Sequence, residues 1–321
     1  MVNSGLVVAI TGGTGFIGRR LVDLHVRRGD AVRVLSRRAL PPEMCAMGVT
    51  GFTGDLSGQI PADFARHADV LYHCAAELGD ASGCWSSNAD GTSCLLQAAE
   101  GVGRWVQLSS VGVYGPKQAG VVTENSPTLP HNSYERSKAE ADQRLIKQGR
   151  AIGLDYVILR PSNVFGPGMP NRSLRQLSAT IRRGLFCLVG PPGASANYIF
   201  VENVVAGLFL CATHPQAPGR VFNLSDWRSM EDFVAAIAAT LQVRAPHLRL
   251  PAAMMRWLAS GAQYLPGRPL TPGRIDALTG RATYPADRIV AELGYHHAVT
   301  MEEGLARTLA DFFPELRGDV R

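Results

Sequence analysis

Apolar residues in the first half of the chain fall into short, dense runs at residues 6–10, 31–35, 70–74, 105–108 and 156–159, rich in Val, Ile and Leu. Runs of this length with almost no polar alternation predict strands buried on both faces. Between the first two, Leu21 and Leu24 stand three apart, Val22 and Val26 stand four apart, and Gly29 follows. That spacing predicts an amphipathic helix with a glycine stop. Residues 88–100 repeat the helical pattern and end at Gly101. Strand, helix and strand in alternation require parallel pairing through right-handed crossovers. The prediction is an α/β, doubly wound parallel sheet.

Beyond about residue 163 the pattern changes. Glycine and proline cluster in GPGMP and GPPG, and helical stretches at 230–241 and 252–265 alternate with isolated strands. We therefore expect a dinucleotide-binding domain over residues 1–165, with some later segments returning to it, and a smaller mixed substrate domain over 166–321. The stretch LPAAMMRWLASGAQYL is amphipathic and could line an apolar pocket or lie against a membrane. Core packing is the commoner fate of such a stripe and is the expectation here.

Composition narrows the class. The 321 residues are 46% hydrophobic and 18% charged, ordinary for a folded chain with a substantial core. Net charge is +5, but the arginines are scattered in pairs with no aromatic interleaving, so no nucleic-acid partner is expected. Six cysteines form no CxxC pair, and the adjacent His296 and His297 would point to opposite sides of a strand-like segment, so no metal is expected. No apolar run is long enough to span a bilayer and no secretory leader pattern opens the chain. A cytoplasmic protein without an integral membrane segment is the expectation.

The first strand runs into Thr11-Gly12-Gly13-Thr14-Gly15-Phe16-Ile17-Gly18 and then a helix. Glycines there permit a tight turn and close backbone approach to a pyrophosphate, which would lie at a helix N-terminus. The second strand ends in Ser36, Arg37 and Arg38, where an NAD site usually places a carboxylate for the ribose 2′-hydroxyl. Serine and arginine would instead bind a 2′-phosphate, so NADP(H) is expected over NAD(H), with NAD still admissible.

Tyr134 and Lys138, in SYERSKAE, are one helical turn apart on one face. A free phenol titrates near about 10, and a neighbouring ammonium would lower that value. The strand WVQLSS delivers Ser109 and Ser110 to the carboxyl edge of the sheet, where ligands bind.

These motifs together resemble the extended short-chain dehydrogenase/reductase family, broadly its epimerase/dehydratase and 3β-hydroxysteroid dehydrogenase group, over nearly the whole chain. TGGTGFIG is similar to the family's coenzyme loop, with Gly12, Thr14, Gly15, Phe16, Ile17 and Gly18. Gly54-Asp55-Leu56 resembles its adenine-side segment. His73-Cys74-Ala75-Ala76 resembles the strand that lines the coenzyme, and Asn88-Ala-Asp-Gly91-Thr92 its asparagine-bearing helix. SSVGVYG, YERSK and LRPSNVFGPG complete the likeness.

The resemblance implies a Rossmann sheet and hydride transfer at a carbinol or keto carbon. Tyr134 would be the acid/base, and Ser110, with Ser109 as the alternative, would bond the substrate oxygen. Lys138 would tune the tyrosine and hold the nicotinamide ribose, and Asn88 would support the site. Asp55, Leu56, Cys74, Ala75 and Ala76 would line the coenzyme, and Pro161, Asn163 and Val164 would lie near the nicotinamide.

Two substrate classes remain. One is a nucleotide-activated sugar, handled by an epimerase or 4-ketoreductase; the other is an apolar alcohol or ketone. Sugar-nucleotide relatives carry a segment similar to RDF that gives an arginine to the diphosphate, and this chain has Ala196 there, with Arg172, Arg175 or Arg268 as substitutes. The acidic pair of the dehydratases is replaced by Val111-Gly112, which cannot move protons. The sugar reading stands slightly ahead on the breadth of the family. The resemblance also admits a homodimer, which the sequence does not fix.

Overall fold

The computed structural model describes residues 5–79, 81–116, 118–262 and 272–318. Its first half runs β1 (Val7–Thr11), α1 (Phe16–Arg27), β2 (Ala31–Ser36), α2 (Pro42–Ala46), β3 (Thr50–Thr53), β4 (Val70–His73) and α3 (Ala81–Cys84). A π-helical turn (Trp85–Asp90) leads into α4 (Gly91–Gln97), β5 (Arg104–Leu108) and a 3₁₀ turn (Val111–Tyr114). Then come β6 (Ala119–Val121), α5 (Ser133–Ala151) and β7 (Asp155–Pro161). The second half holds β8 (Asn163–Phe165), α6 (Ser173–Arg182), β9 (Leu188–Val189), β10 (Ser195–Phe200), α7 (Val201–Thr213), β11 (Arg220–Leu224) and β12 (Asp226–Ser229). It ends with α8 (Met230–Thr240), β13 (Arg249–Leu250), α9 (Ala252–Ala262), α10 (Pro272–Thr279), β14 (Arg281–Thr283), α11 (Asp287–Leu293) and α12 (Met301–Phe312).

Seven strands form one parallel sheet in the order β11-β7-β5-β4-β1-β2-β3. The expected doubly wound sheet is therefore present, and each expected strand lies within two residues of an observed one. Its strands bury Val8, Ile10, Val34, Tyr72, Val106 and Leu159 on one face. Ala9, Leu71, Trp105, Tyr156 and Ile158 fill the other. Both faces are covered, which explains the continuous apolar runs. The chain leaves β1 toward β2 on one side and returns to β4 on the other, so the carboxyl ends of β1 and β4 open a crevice.

β11, from the second half, closes the large sheet by pairing with β7. Of three smaller sheets among the described residues, β13-β9 and β14-β6 are two-stranded, and the three-stranded β12-β10-β8 packs with α6, α8 and α12 around a second apolar cluster that includes Phe165, Phe200 and Phe233. The stretch around α9 departs from expectation. Met255 and Ala259 pack inward against Val189 and Ile275, whereas Met254, Trp257 and Leu258 on the opposite face are exposed. Residues 263–265, the expected end of this helix, lie outside the described residues. Among the described residues no helix is long and apolar enough to cross a membrane.

Candidate active site

The glycine loop sits where β1 meets α1. Gly12 has φ +69°, and a Cβ on it would lie 2.7 Å from the Ala75 amide nitrogen. A Cβ on Gly18 would lie 2.2 Å from the Gly12 carbonyl oxygen. Both positions therefore require glycine, one for the left-handed turn and both for close packing. α1 begins after Gly15 with no side-chain cap, so its first amides are free for an anion.

A cleft of about 790 Å³ opens beside this loop. Of the expected coenzyme residues, Gly12, Thr14, Gly15, Ser36, Arg37, Arg38, Asp55, Leu56, Cys74, Ala75 and Ala76 line it. Arg37 and Arg38 are exposed and make no ion pair among the described residues. The Cys74 thiol is pushed up to about 12 by burial, which makes it an inert wall rather than a nucleophile. Phe16, Ile17, Gly18, Lys138, Pro161, Asn163 and Val164 do not line the cleft. Phe16 and Ile17 pack against the second cluster, and Val164 touches both large clusters. The Asn163 amide donates to the Asn197 carbonyl at 3.0 Å. The glycine cradle and the uncapped helix together fit a dinucleotide.

Behind the loop a directed chain of hydrogen bonds joins three elements. The Ala75 amide donates to Thr11 Oγ1 at 3.2 Å, and Thr11 Oγ1 lies 2.7 Å from His73 Nδ1. His73 Nε2 lies 3.2 Å from Thr92 Oγ1, which itself donates to the Asn88 carbonyl at 2.6 Å. With Thr92 already donating, His73 must carry its proton on Nε2 and accept at Nδ1, so the neutral ring completes the chain. Burial accordingly drives its pKa down to about 3. Sequence reasoning missed this strut; the available signal was a histidine ending the apolar run VLYH.

Asn88 lies in the π-helical turn, a distortion frequent at functional sites. Its Oδ1 accepts from the Glu77 amide at 2.8 Å, and its Nδ2 donates to the Glu77 carbonyl and to Ser137 Oγ. Asn88 thereby ties the segment after β4 to α5. Its polar atoms act through the scaffold.

α5 starts at a capping box in which Asn132 and Glu135 satisfy each other's backbone amides. That fixed start places Tyr134, Lys138 and Asp142 on one stripe, each four residues after the last. The Ser110 side chain is close enough to the Tyr134 hydroxyl to act on it, in the direction that lowers its pKa. Ser110 Oγ accepts from the Gly112 amide at 3.0 Å. The two serines separate cleanly. Ser109 is buried and donates to Asp142 at 2.8 Å, so Ser110 alone meets the tyrosine.

The electrostatics differ from expectation. Burial pushes Tyr134 up to about 12, because a phenolate there would lose hydration, while Ser110 works in the opposite sense. Lys138 is fully buried, its own pKa is lowered by burial, and its Nζ donates to the Leu108 carbonyl at 2.5 Å. The Lys138 ammonium is not among the largest influences on Tyr134, of which burial is the first. The phenol is therefore protonated at neutral pH.

One further turn along, Asp142 accepts from Arg160 Nε at 3.1 Å and Nη2 at 3.0 Å. Arg160 also donates to the Tyr114 hydroxyl, which donates to Asn223 Oδ1. This buried network crosses β5, β7 and β11 directly beneath the serine and was not anticipated from the sequence. An aspartate inside a helix and an arginine inside an apolar strand were the visible hints.

A glycine-cradled cleft for a dinucleotide, with Ser110 and Tyr134 near each other outside its lining, fits a coenzyme-dependent enzyme. Residues 8–225 match the family model described as the NAD dependent epimerase/dehydratase family, and the chain belongs to that family. A 3β-hydroxysteroid dehydrogenase/Δ5→4-isomerase of Mycobacterium tuberculosis is 26% identical, across 98% of this chain and 93% of its own. A 4-hydroxy-2-methyl-3-oxo-4-farnesyl-3,4-dihydroquinoline-1-oxide ketoreductase of Stigmatella aurantiaca is 30% identical, across 92% of this chain and 93% of its own. The fold is shared with UDP-glucuronic acid 4-epimerase from Bacillus cereus in complex with NAD, at a TM-score of 0.75 and 17% identity, across 96% of this chain and 99% of that one.

Proposed function

We propose that this enzyme is an NADP(H)-dependent reductase that interconverts an apolar ketone and its alcohol. Ala196 carries the choice of substrate class. It stands where sugar-nucleotide relatives resemble one another in presenting an arginine, and it is 1% exposed, packed into the second apolar cluster. No cation reaches from that position toward a diphosphate. The hydroxysteroid and farnesyl-bearing substrates in the names of the two curated relatives point the same way. This proposal places the apolar class ahead of the sugar-nucleotide class, which the family equally includes.

The sugar-nucleotide epimerase remains the second reading. It is favoured by Arg172 and Arg175, which are exposed and free of ion pairs among the described residues. Arg268, the third substitute, lies outside the described residues.

In the proposed reaction, the coenzyme supplies or accepts the hydride when bound. Ser110 donates to the carbonyl oxygen, its own acceptor capacity already engaged by the Gly112 amide. Tyr134, held protonated by burial, passes its proton to the developing alkoxide. Lys138 stays anchored on Leu108 at the edge of the coenzyme site, where its remaining N–H groups can hold a ribose hydroxyl. Arg37 and Arg38 hold the 2′-phosphate, and residues 1–165, joined by β11, form the coenzyme domain. Thermal-shift titration separates the readings. NADPH should stabilise the protein, and UDP, GDP and dTDP should leave the melting temperature unchanged. Stabilisation by any nucleoside diphosphate would restore the sugar reading.

A further inference from the structure

We propose that the outer face of α9, with the basic segments around it, docks the protein on the surface of an anionic lipid bilayer. The face is apolar and uncovered among the described residues. Met254 is 39% exposed, Trp257 74% and Leu258 43%, and their i, i+3, i+4 spacing puts them side by side. Two more exposed leucines lie on the segments from which the helix springs. Leu248 precedes β13, Leu185 precedes β9, and those strands pair with each other. Trp257 is the most exposed large hydrophobic side chain of the described residues.

Charge selects the occupant. The segments 182–190, 243–262 and 272–283 contain seven arginines (182, 183, 244, 249, 256, 274 and 281) and a single acidic residue, Asp276. Arg182 pairs with Glu315, Arg249 with Glu231 and Arg256 with Asp276. Arg183 and Arg244 are exposed and have no ion pair among the described residues. A second copy of the same face would bring two cationic rims together, which disfavours self-association. A nucleic acid would satisfy the arginines but leave the Met-Trp-Leu stripe against a polar backbone. An anionic bilayer satisfies both parts: the stripe enters the interfacial region and the arginines meet the headgroups. With no spanning helix among the described residues, the attachment is to one leaflet. This inference stands without the proposed reaction, although an apolar substrate would be most concentrated at such a surface.

Co-sedimentation of the full chain with lipid vesicles tests it, comparing equimolar phosphatidylglycerol/phosphatidylcholine with phosphatidylcholine alone. The protein should sediment with the anionic vesicles only, with a blue shift in tryptophan emission, and raised salt should release it. Trp257→Glu should weaken binding by more than about tenfold, and Leu258→Gln, a milder change, should weaken it measurably. Arg183→Ala and Arg244→Ala should each cost about fivefold. All four variants should keep wild-type NADPH affinity, which certifies their fold independently of vesicle binding. The proposal is overturned if the wild type ignores anionic vesicles, or if folded Trp257→Glu and Leu258→Gln bind them as well as wild type does. It is equally overturned if light scattering shows a dimer that Trp257→Glu dissolves, since the face would then belong to a second copy.

Discussion

The two halves of this chain, which we propose serve coenzyme and substrate, are built by different rules. Around the glycine loop, the Thr11–His73–Thr92 chain and the Asn88 side chain satisfy one another's polar atoms and lock β1, β4 and α5 together. On the substrate side, β10 offers the buried apolar Ala196, and the neighbouring polar groups of Ser195 and Asn197 bond to the β14 backbone rather than to an open site. The first half is shaped for a ligand whose phosphates are invariant in charge. The second is shaped by packing.

Four substitutions or titrations would break or sharpen that contrast. Asp142→Ala should have the largest effect on stability, about 3–5 kcal/mol in urea unfolding, because it leaves the buried Arg160 guanidinium without a counter-charge. A loss below about 1 kcal/mol would mean that this network does not hold the coenzyme half together. Ser110→Ala should lower kcat by about 10²–10³ while NADPH affinity is retained. Equal activity in that variant, with loss in Ser109→Ala, would exchange the roles of the two serines.

Arg37→Ala should weaken NADPH by about tenfold and leave NADH unchanged, in parallel fluorescence titrations. The last test is a pH dependence, confined to acid. His73 is depressed to about 3 in the folded protein against an ordinary value near about 6.5. Its contribution is therefore complete above that ordinary value and is lost as pH falls toward 3, because the unfolded chain takes up the proton first. The expected slope approaches about 1.4 kcal/mol per pH unit, and His73→Gln should flatten it. An unchanged slope in His73→Gln would remove His73 as the source.

The legible parts of the molecule were those where backbone chemistry dictates residue type. The glycine loop, the buried strands and the Tyr134–Lys138 spacing each follow from sterics or helical period, and each appears where expected. β3 was not legible: in TGFT, three of four residues are exposed or glycine, so no apolar run marks it. The expected single helix at 88–100 begins instead in a π-helical turn, a register change that periodicity does not encode. Ser109 and Ser110 are chemically identical, and only the strand alternation that turns one toward Asp142 separates them. The acidified tyrosine failed for a different reason. Spacing gives proximity to Lys138, but burial acts on both groups and outweighs it in this structure. α9 misled as well, because an amphipathic pattern does not say whether the second apolar stripe is covered.

The central claim is that Tyr134 gives its proton to a ketone reduced with NADPH. It is tested most directly by single-turnover NADPH oxidation with a panel of apolar ketones, comparing wild type with Tyr134→Phe at matched coenzyme saturation. The account requires a loss of about 10²–10⁴ in the rate of the hydride step with coenzyme affinity unchanged. Wild-type turnover in Tyr134→Phe would contradict it.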